Sequence, residues 1–202
     1  MRTAVVILNW NTRDFLKEYL PRVLEDSGCA PDGKGTQRVE VIVADNGSTD
    51  GSVEYLREAF PALGVIALDK NYGFTGGYDK ALATLTGYDF FVLLNSDVQT
   101  TPGWLGPLEE WMEANPDCGA CAPKILSLCD KSKFEYAGAA GGYIDAYGYP
   151  FCRGRVLDKI DSDRGQFDGS PKDVFWVSGA CMMVRCAAFD CLDERFFAHF
   201  EG

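Results

Sequence analysis

Four times in its first half the chain runs through a short apolar stretch and stops at Asn and Asp. Residues 3–8 stop before Asn9 and Asn11, residues 39–44 before Asp45 and Asn46, residues 64–68 before Asp69 and Asn71, and residues 90–94 before Asn95 and Asp97. The last run, five apolar residues in a row, reads as a strand buried on both faces, as in a parallel sheet, and the other three read as strands. The intervening segments have helical spacing. Phe15, Leu16, Tyr19, Leu20, Val23 and Leu24 follow a cap at Asn11 or Thr12, and Val53, Leu56 and Phe60 follow a cap at Ser48 or Thr49. Residues 71–82 run from a glycine-rich turn into a further helix. Strands alternating with helices mean βαβ units and an α/β fold with a mixed, mainly parallel sheet flanked by helices. In open sheets of this kind ligands bind at the carboxyl ends of the strands, where the polar clusters fall.

After Trp104 the pattern changes. A short helix is expected over 107–114 and a strand over 120–126. Residues 134–171 show no sustained period, and residues 174–189 return to strand character. The 202 residues therefore read as one domain in two halves, 1–104 and 105–202. The formal net charge of −11 argues against a nucleic-acid partner. It leaves room for a phosphorylated ligand, because a metal ion bridges carboxylates to phosphates. Residues 4–8 are too few for a signal peptide, and no stretch approaches the ~20 apolar residues of a membrane helix. The expectation is a soluble, cytoplasmic domain whose eight cysteines are reduced. Cys118 and Cys121 form a C-x-x-C with no second pair, so they read as small apolar residues rather than a zinc site.

Three motifs carry chemistry. Asp97 ends the fourth run and is either a turn former or a hard oxygen ligand for Mg²⁺ or Mn²⁺. Asn95, two residues earlier, faces the same way if the strand continues. Asp45 either shapes an Asn-Gly turn or accepts hydrogen bonds from a base or sugar, and the turn is compatible with the second role. Gly73, Gly76 and Gly77 are spaced G-x-x-G-G, which matches neither the dinucleotide fingerprint nor the P-loop. They still permit a close backbone approach to a ligand ahead of a helix N-terminus. His199, the only histidine, reads as ordinary.

Residues 5–11 (VVILNWN), 42–52 (VIVADNGSTDGS), 71–82 (NYGFTGGYDKAL), 90–98 (FFVLLNSDV), 176–185 (WVSGACMMVR) and 193–201 (DERFFAHFE), in that order, resemble the family 2 glycosyltransferases. The NWN start and the GFTGG turn resemble the bacterial rhamnosyltransferase-like subgroup. The resemblance implies a Rossmann-like nucleotide-diphospho-sugar transferase fold of the glycosyltransferase A type. It implies inverting transfer of a sugar from a nucleoside diphosphate, with dTDP-rhamnose the first candidate, to a saccharide or lipid-linked acceptor in bacterial surface-polysaccharide synthesis. Peripheral association with the inner face of the membrane goes with such an acceptor. Leu8, Asn9, Asn11, Asp45, Asn71, Gly73, Gly76, Gly77, Asn95, Ser96 and Asp97 would serve the nucleotide sugar. Asp97 would hold the metal, and Trp176, Ser178 and Gly179 would stand on the acceptor side. Asn95 replaces the first acid of the family's Asp-x-Asp motif and removes one charge from the metal site. The family's catalytic base follows an aromatic stretch like that at 196–200, which makes Glu201 the candidate base. The second acid expected after it is not among the 202 residues, which implies a chain cut short and slow in transfer. Two alternatives stand beside this reading. A nucleotidyltransferase tends to carry a basic, glycine-rich stretch after the first strand, where this chain has Asn9-Trp10-Asn11. A non-catalytic nucleotide-sugar-binding module fits a chain without its base.

Overall fold

The computed structural model describes residues 1–35, 38–136, 140–169, 171–190 and 192–193. In chain order the elements are β1 (Thr3–Asn9), α1 (Arg13–Asp26), β2 (Val39–Asp45), α2 (Ser52–Ala59), β3 (Gly64–Ala67), α3 (Gly73–Leu82), β4 (Phe90–Asn95) and α4 (Gly106–Ala114). There follow β5 (Ala120–Cys121), β6 (Gly142–Ile144), β7 (Pro150–Cys152), β8 (Arg155–Val156), β9 (Lys159–Ile160) and β10 (Cys181–Arg185). Six strands form the main sheet in the order β3-β2-β1-β4-β10-β5. β1 to β4 pair in parallel, and β10 runs antiparallel to β4 and β5. The sheet is thus mixed and mainly parallel, in the α/β class expected.

Unbroken apolar runs make sense because both faces of the sheet are covered. Val5, Ile7, Val41, Val43, Phe90, Val92 and Leu94 point to one side, against Leu16, Leu20 and Val23 of α1, Leu56 of α2 and Met112 of α4. Their alternating neighbours Ala4, Val6, Ile42, Ala44, Phe91 and Leu93 point to the other, against Tyr78, Ala81 and Leu82 of α3. With water excluded from both faces, a polar residue is tolerated only at the strand ends. That is where Asn9, Asp45 and Asn95 lie.

Four local expectations are corrected. α2 starts at Ser52, not Ser48 or Thr49. Residues 46–51 are used to turn the chain at the sheet edge, and Gly47 and Gly51 take positive φ there. α3 starts at Gly73, so Gly76 and Gly77 lie inside the helix rather than in a turn ahead of it. The strand expected at 120–126 is only Ala120–Cys121, because β10 offers it two paired positions before the chain turns away. Finally, β4 ends at Asn95 and a turn follows, with Val98 N–H directed at Asn95 O at 3.4 Å. Asn95 and Asp97 are therefore not successive same-face positions of one strand.

The second half is loop-rich, as its lack of period predicts, yet it holds two small hairpins, β6–β7 and β8–β9. Their bases are fixed by close glycine contacts. A Cβ on Gly142 would lie 2.3 Å from the Trp176 ring, and one on Gly154 would lie 2.7 Å from the Phe134 ring.

Candidate active site

The carboxyl ends of β1 and β2 are joined by a closed hydrogen-bond network. Asn9 Nδ2 donates to Asp45 Oδ2 at 2.7 Å and to Ser48 Oγ at 3.1 Å. Ser48 N–H donates to Asp45 Oδ1 at 2.9 Å, and Asn11 N–H donates to Ser48 Oγ at 2.9 Å. Thr49 N–H donates to the Asn11 carbonyl Oδ1 at 2.8 Å, which holds Asn11 at a positive φ of 54°. Asparagine tolerates that conformation better than most residues. Asp45 is 1% exposed, and each of its oxygens accepts a bond from inside the protein. Its visible work is to hold Asn9 and the turn at residue 48.

A second set of bonds ties β2 to α3. Asn46 Nδ2 donates to Asn71 Oδ1 at 3.0 Å and to Gly73 O at 2.8 Å, while its Oδ1 accepts from Tyr72 N–H at 2.9 Å. Gly73 N–H in turn donates to Asn71 Oδ1 at 2.8 Å. Gly77 lets the helix come this close: a Cβ there would lie 2.8 Å from Asn46 Nδ2 and 3.1 Å from Leu8 Cδ1. The close approach expected at this glycine is met by the protein's own Asn46 rather than by a ligand. Gly73 and Gly76 are buried as well.

Thr12 connects this edge to the Asn-Ser-Asp segment. Its hydroxyl donates to Asn9 Oδ1 at 2.6 Å and lies 2.8 Å from Ser96 Oγ, which places Ser96 as the donor of that second bond. Asp97, the next residue, is exposed, and its carboxylate has no hydrogen-bond or ion-pair partner among the described residues. It projects into a cavity of about 1200 Å³. Roughly 300–1,000 Å³ holds one drug-sized ligand, so this space is large enough for two sugars to meet. Asn95, Asp97, Trp104, Trp176, Ser178 and Gly179 share its wall with Phe74, Lys131, Tyr136 and Arg155.

The sequence-predicted residues thus fall into two groups. Asn95, Asp97, Trp176, Ser178 and Gly179 line one cavity, although some eighty residues separate the two segments. Leu8, Asn9, Asn11, Asp45 and Asn71 form the adjoining edge and do not line it, and Ser96 is tied back to that edge by Thr12. Trp176 is only part-buried, and its Nε1–H donates to Tyr143 O at 3.1 Å. Gly179 admits the Phe74 ring, 2.8 Å from where a Cβ would stand. Glu201 and His199 lie outside the described residues. Sequence reasoning missed Thr12, Asn46, Lys131 and Arg155. A lone Thr or Arg carries no periodic signal, and only Asn46 stood inside a quoted motif.

The C-x-x-C cysteines pack against the core as free thiols. Burial, with a smaller push from Cys118, raises the Cys121 thiol to about 12, which keeps it protonated and unreactive at neutral pH.

This open sheet, with its polar edge and adjoining cavity, defines a glycosyltransferase A-type domain. Solved structures of similar fold are the mannosyltransferase PcManGT from Pyrobaculum calidifontis in complex with GDP-Man and Mn²⁺, and S. aureus TarS 1-349. The first has a TM-score of 0.51 and 24% identity, covering 64% of this chain and 36% of that one. The second has a TM-score of 0.56 and 16% identity, covering 96% of this chain and 51% of that one. The profile of Glycosyl transferase family 2 matches residues 4–192, and the chain belongs to that family. It is 27% identical over 180 residues to an N-acetylglucosaminyl-diphospho-decaprenol L-rhamnosyltransferase of Mycobacterium tuberculosis, covering 81% of this chain and 58% of that protein. It is 33% identical over 105 residues to an undecaprenyl-phosphate 4-deoxy-4-formamido-L-arabinose transferase of Klebsiella pneumoniae, covering 50% of this chain and 30% of that protein.

The residues present fit the divalent metal that such a fold implies. Asp97 offers a free carboxylate and Asn95 a neutral amide oxygen on the same cavity wall, an all-oxygen set suited to Mg²⁺ or Mn²⁺. The described residues hold no cluster of three metal-binding side chains, so phosphate and water oxygens would complete the shell.

Proposed function

We propose that this domain transfers a sugar, with inversion, from a nucleoside-diphosphate sugar to a saccharide carried on a lipid, in the assembly of a bacterial surface polysaccharide. dTDP-rhamnose is the donor favoured by the likeness to the mycobacterial rhamnosyltransferase. The observation that carries the reading is the unpartnered Asp97 carboxylate, set at the end of a buried strand between a polar edge and a roomy cavity.

The residues divide the work as follows. Residues 1–104 serve the donor and 105–202 the acceptor. Leu8, Asn9, Asn11, Asp45 and Asn71 form the floor under the base and sugar of the nucleotide, Asp45 acting through Asn9 and the turn at Ser48 because both its oxygens are already bonded. Asp97, with Asn95, would hold Mg²⁺ or Mn²⁺, which when bound stabilises the charge that builds on the leaving diphosphate. Trp176, Ser178 and Gly179 position the acceptor, Trp176 through its ring face. The cavity wall keeps water from competing with the acceptor hydroxyl. That hydroxyl attacks the anomeric carbon opposite the diphosphate and passes its proton to a carboxylate, for which Glu201 is the candidate. The domain acts in the cytoplasm at the inner membrane face. No helix among the described residues is long and apolar enough to cross a membrane.

The test is a thermal-shift panel of dTDP, UDP and GDP with and without Mn²⁺, followed by assay of the matching sugar nucleotides. A ligand at about a hundred times its Kd stabilises by about 2.7 kcal/mol. One nucleoside diphosphate should raise the melting temperature, and more so with Mn²⁺. No response to any of the three would sink the reading.

A further inference from the structure

The apolar surface of the second half is concentrated on one feature. Around the β6–β7 hairpin and the turn between β8 and β9, Tyr147 is 89% exposed and Leu157 85%, with Tyr149, Phe151, Val156 and Phe175 also exposed. Scattered exposed apolar residues need no explanation, but a contiguous group does. The hairpin is not loose. Asp145 Oδ1 accepts from Tyr147 N–H at 2.8 Å and Tyr149 N–H at 2.9 Å, so the acid braces the turn while remaining exposed. Gly142 pairs with Trp176 at the base, through N–H donation to Trp176 O at 2.9 Å and acceptance from Phe175 N–H at 2.7 Å.

Charge on this feature differs from that of the chain. Residues 140–160 carry Arg153, Arg155 and Lys159 against Asp145 and Asp158, a slight positive excess in a chain of net charge −11. Arg155 lines the cavity and lies over the Tyr136 ring at 4.1 Å, with no carboxylate partner among the described residues. Lys131 lines the same wall, bonded among the described residues only to the neutral Gln99 Oε1 at 3.0 Å. Lys124 by contrast is neutralised by Asp163 and Asp168, each at 2.6 Å. The apolar feature is continuous with the cavity, because Ile144, Pro150 and Phe175 belong to both.

A surface with free cations inside and exposed Tyr, Phe and Leu outside matches an amphiphile with an anionic head and an apolar tail. Tyrosine suits the boundary, since its ring is apolar and its hydroxyl stays wet. We propose that the β6–β9 hairpin pair is the docking surface for the polyprenyl-diphosphate end of the acceptor. Arg155 and Lys131 take the diphosphate, and Tyr147, Tyr149 and Leu157 rest in the lipid surface. The proposal rests on the acceptor being lipid-linked. It adds which surface meets the lipid and which cations read its phosphates.

The experiment is co-sedimentation with phosphatidylcholine vesicles, with and without a few per cent of a polyprenyl diphosphate. The unsubstituted chain should bind the diphosphate-bearing vesicles about fivefold better or more. Arg155→Gln should abolish that preference. Tyr147→Ser with Tyr149→Ser should lower binding to both kinds of vesicle by a similar factor. Saturating nucleoside diphosphate with Mn²⁺ should leave the preference intact. If nucleotide removes it, Arg155 serves the donor and the proposal fails. It fails equally if the chain binds both vesicles alike, if Arg155→Gln changes nothing while remaining folded, or if a water-soluble oligosaccharide competes through Tyr147. Nucleotide-induced stabilisation, measured on the same preparation, reports separately on the donor reading.

Discussion

The polar edge at Asn9, Asp45 and Asn46 and the cavity wall at residues 123–179 meet at Asp97, but they are built by opposite means. On the edge nearly every polar atom is already answered by another from the protein, and the residues sit on the buried ends of parallel strands. On the wall the strands are two or three residues long, the hairpins are anchored by single glycine contacts, and cations and rings face open space. A closed network fixes geometry because leaving any buried member unpaired costs about 1–3 kcal/mol. An open wall whose side chains are half in solvent and make few bonds each costs less to alter. The edge is therefore where substitution should change stability, and the mouth and wall are where it should change binding.

Asp45→Ala should have the largest effect on stability. It leaves Ser48 N–H unanswered and Asn9 with one partner fewer, a loss of about 1–3 kcal/mol. For a domain of this size that is roughly 2–12 °C in melting temperature. A folded variant with its melting temperature unchanged and its nucleotide affinity reduced would make Asp45 a ligand contact alone and break the contrast. Asp97→Ala should do the reverse. Its stability should stay within about 0.5 kcal/mol of the parent's. Its Mn²⁺-dependent affinity for a nucleoside diphosphate should fall about tenfold or more, the equivalent of about 1.4 kcal/mol. Unchanged affinity, measured by calorimetry in Mn²⁺, removes Asp97 from the metal site.

Gly77→Ala tests how tightly the edge is closed. Overpacking against Asn46 costs about 1–3 kcal/mol, and alanine's better helix propensity returns up to about 1. A net loss of about 1 kcal/mol is expected in chemical denaturation, and a gain would mean that Asn46 gives way freely.

The smallest effects are in pH dependence. Burial pushes the Asp50 carboxyl up, but bonds from the Ser52 hydroxyl and the N–H groups of Arg13 and Ser52 outweigh it and hold the group below its ordinary value. Its stabilisation is present above the unfolded value of about 3.9 and is lost as pH falls through the folded one. Lys124 is raised by its bonds to Asp163 and Asp168, so its contribution is full below about 10.4 and is lost as pH rises through the folded value. Asp50→Asn should flatten the acid limb of the melting profile, and Lys124→Met the alkaline limb. The half-exposed Lys124 group is worth no more than about 1 kcal/mol. An identical profile for Lys124→Met would show that this part of the wall is held by packing alone.

Much of the edge was legible before folding, because a strand buried on both faces must announce itself as an unbroken apolar run and must end where polarity returns. The residues at those ends, Asn9, Asp45 and Asn95, follow directly from that constraint, whereas β3, half-buried at the sheet edge, ends at Ala67, four residues before Asn71. The start of α2 was misplaced by four residues because Ser48 has the chemistry of a helix cap but spends its hydroxyl on Asn9 and Asn11. The glycines of α3 read in the sequence as a turn beside a ligand because Gly77 marks a close approach without saying to what.

What the sequence by itself determined was the class of fold and the sheet edge at which the polar residues gather, and it singled out Asp97 for test. Each of these rests on a local pattern whose meaning is fixed by the period of the backbone. Only the tertiary structure decided that residues 95–97 and 176–179 share one cavity, that Thr12 ties Ser96 to Asn9, and that Arg155 faces the cavity with no carboxylate partner among the described residues while Lys124 is neutralised. Those facts are distances between residues far apart in the chain. The first depends on β10 returning antiparallel beside β4 and the second on β1 lying parallel beside β4, pairings that no local period encodes.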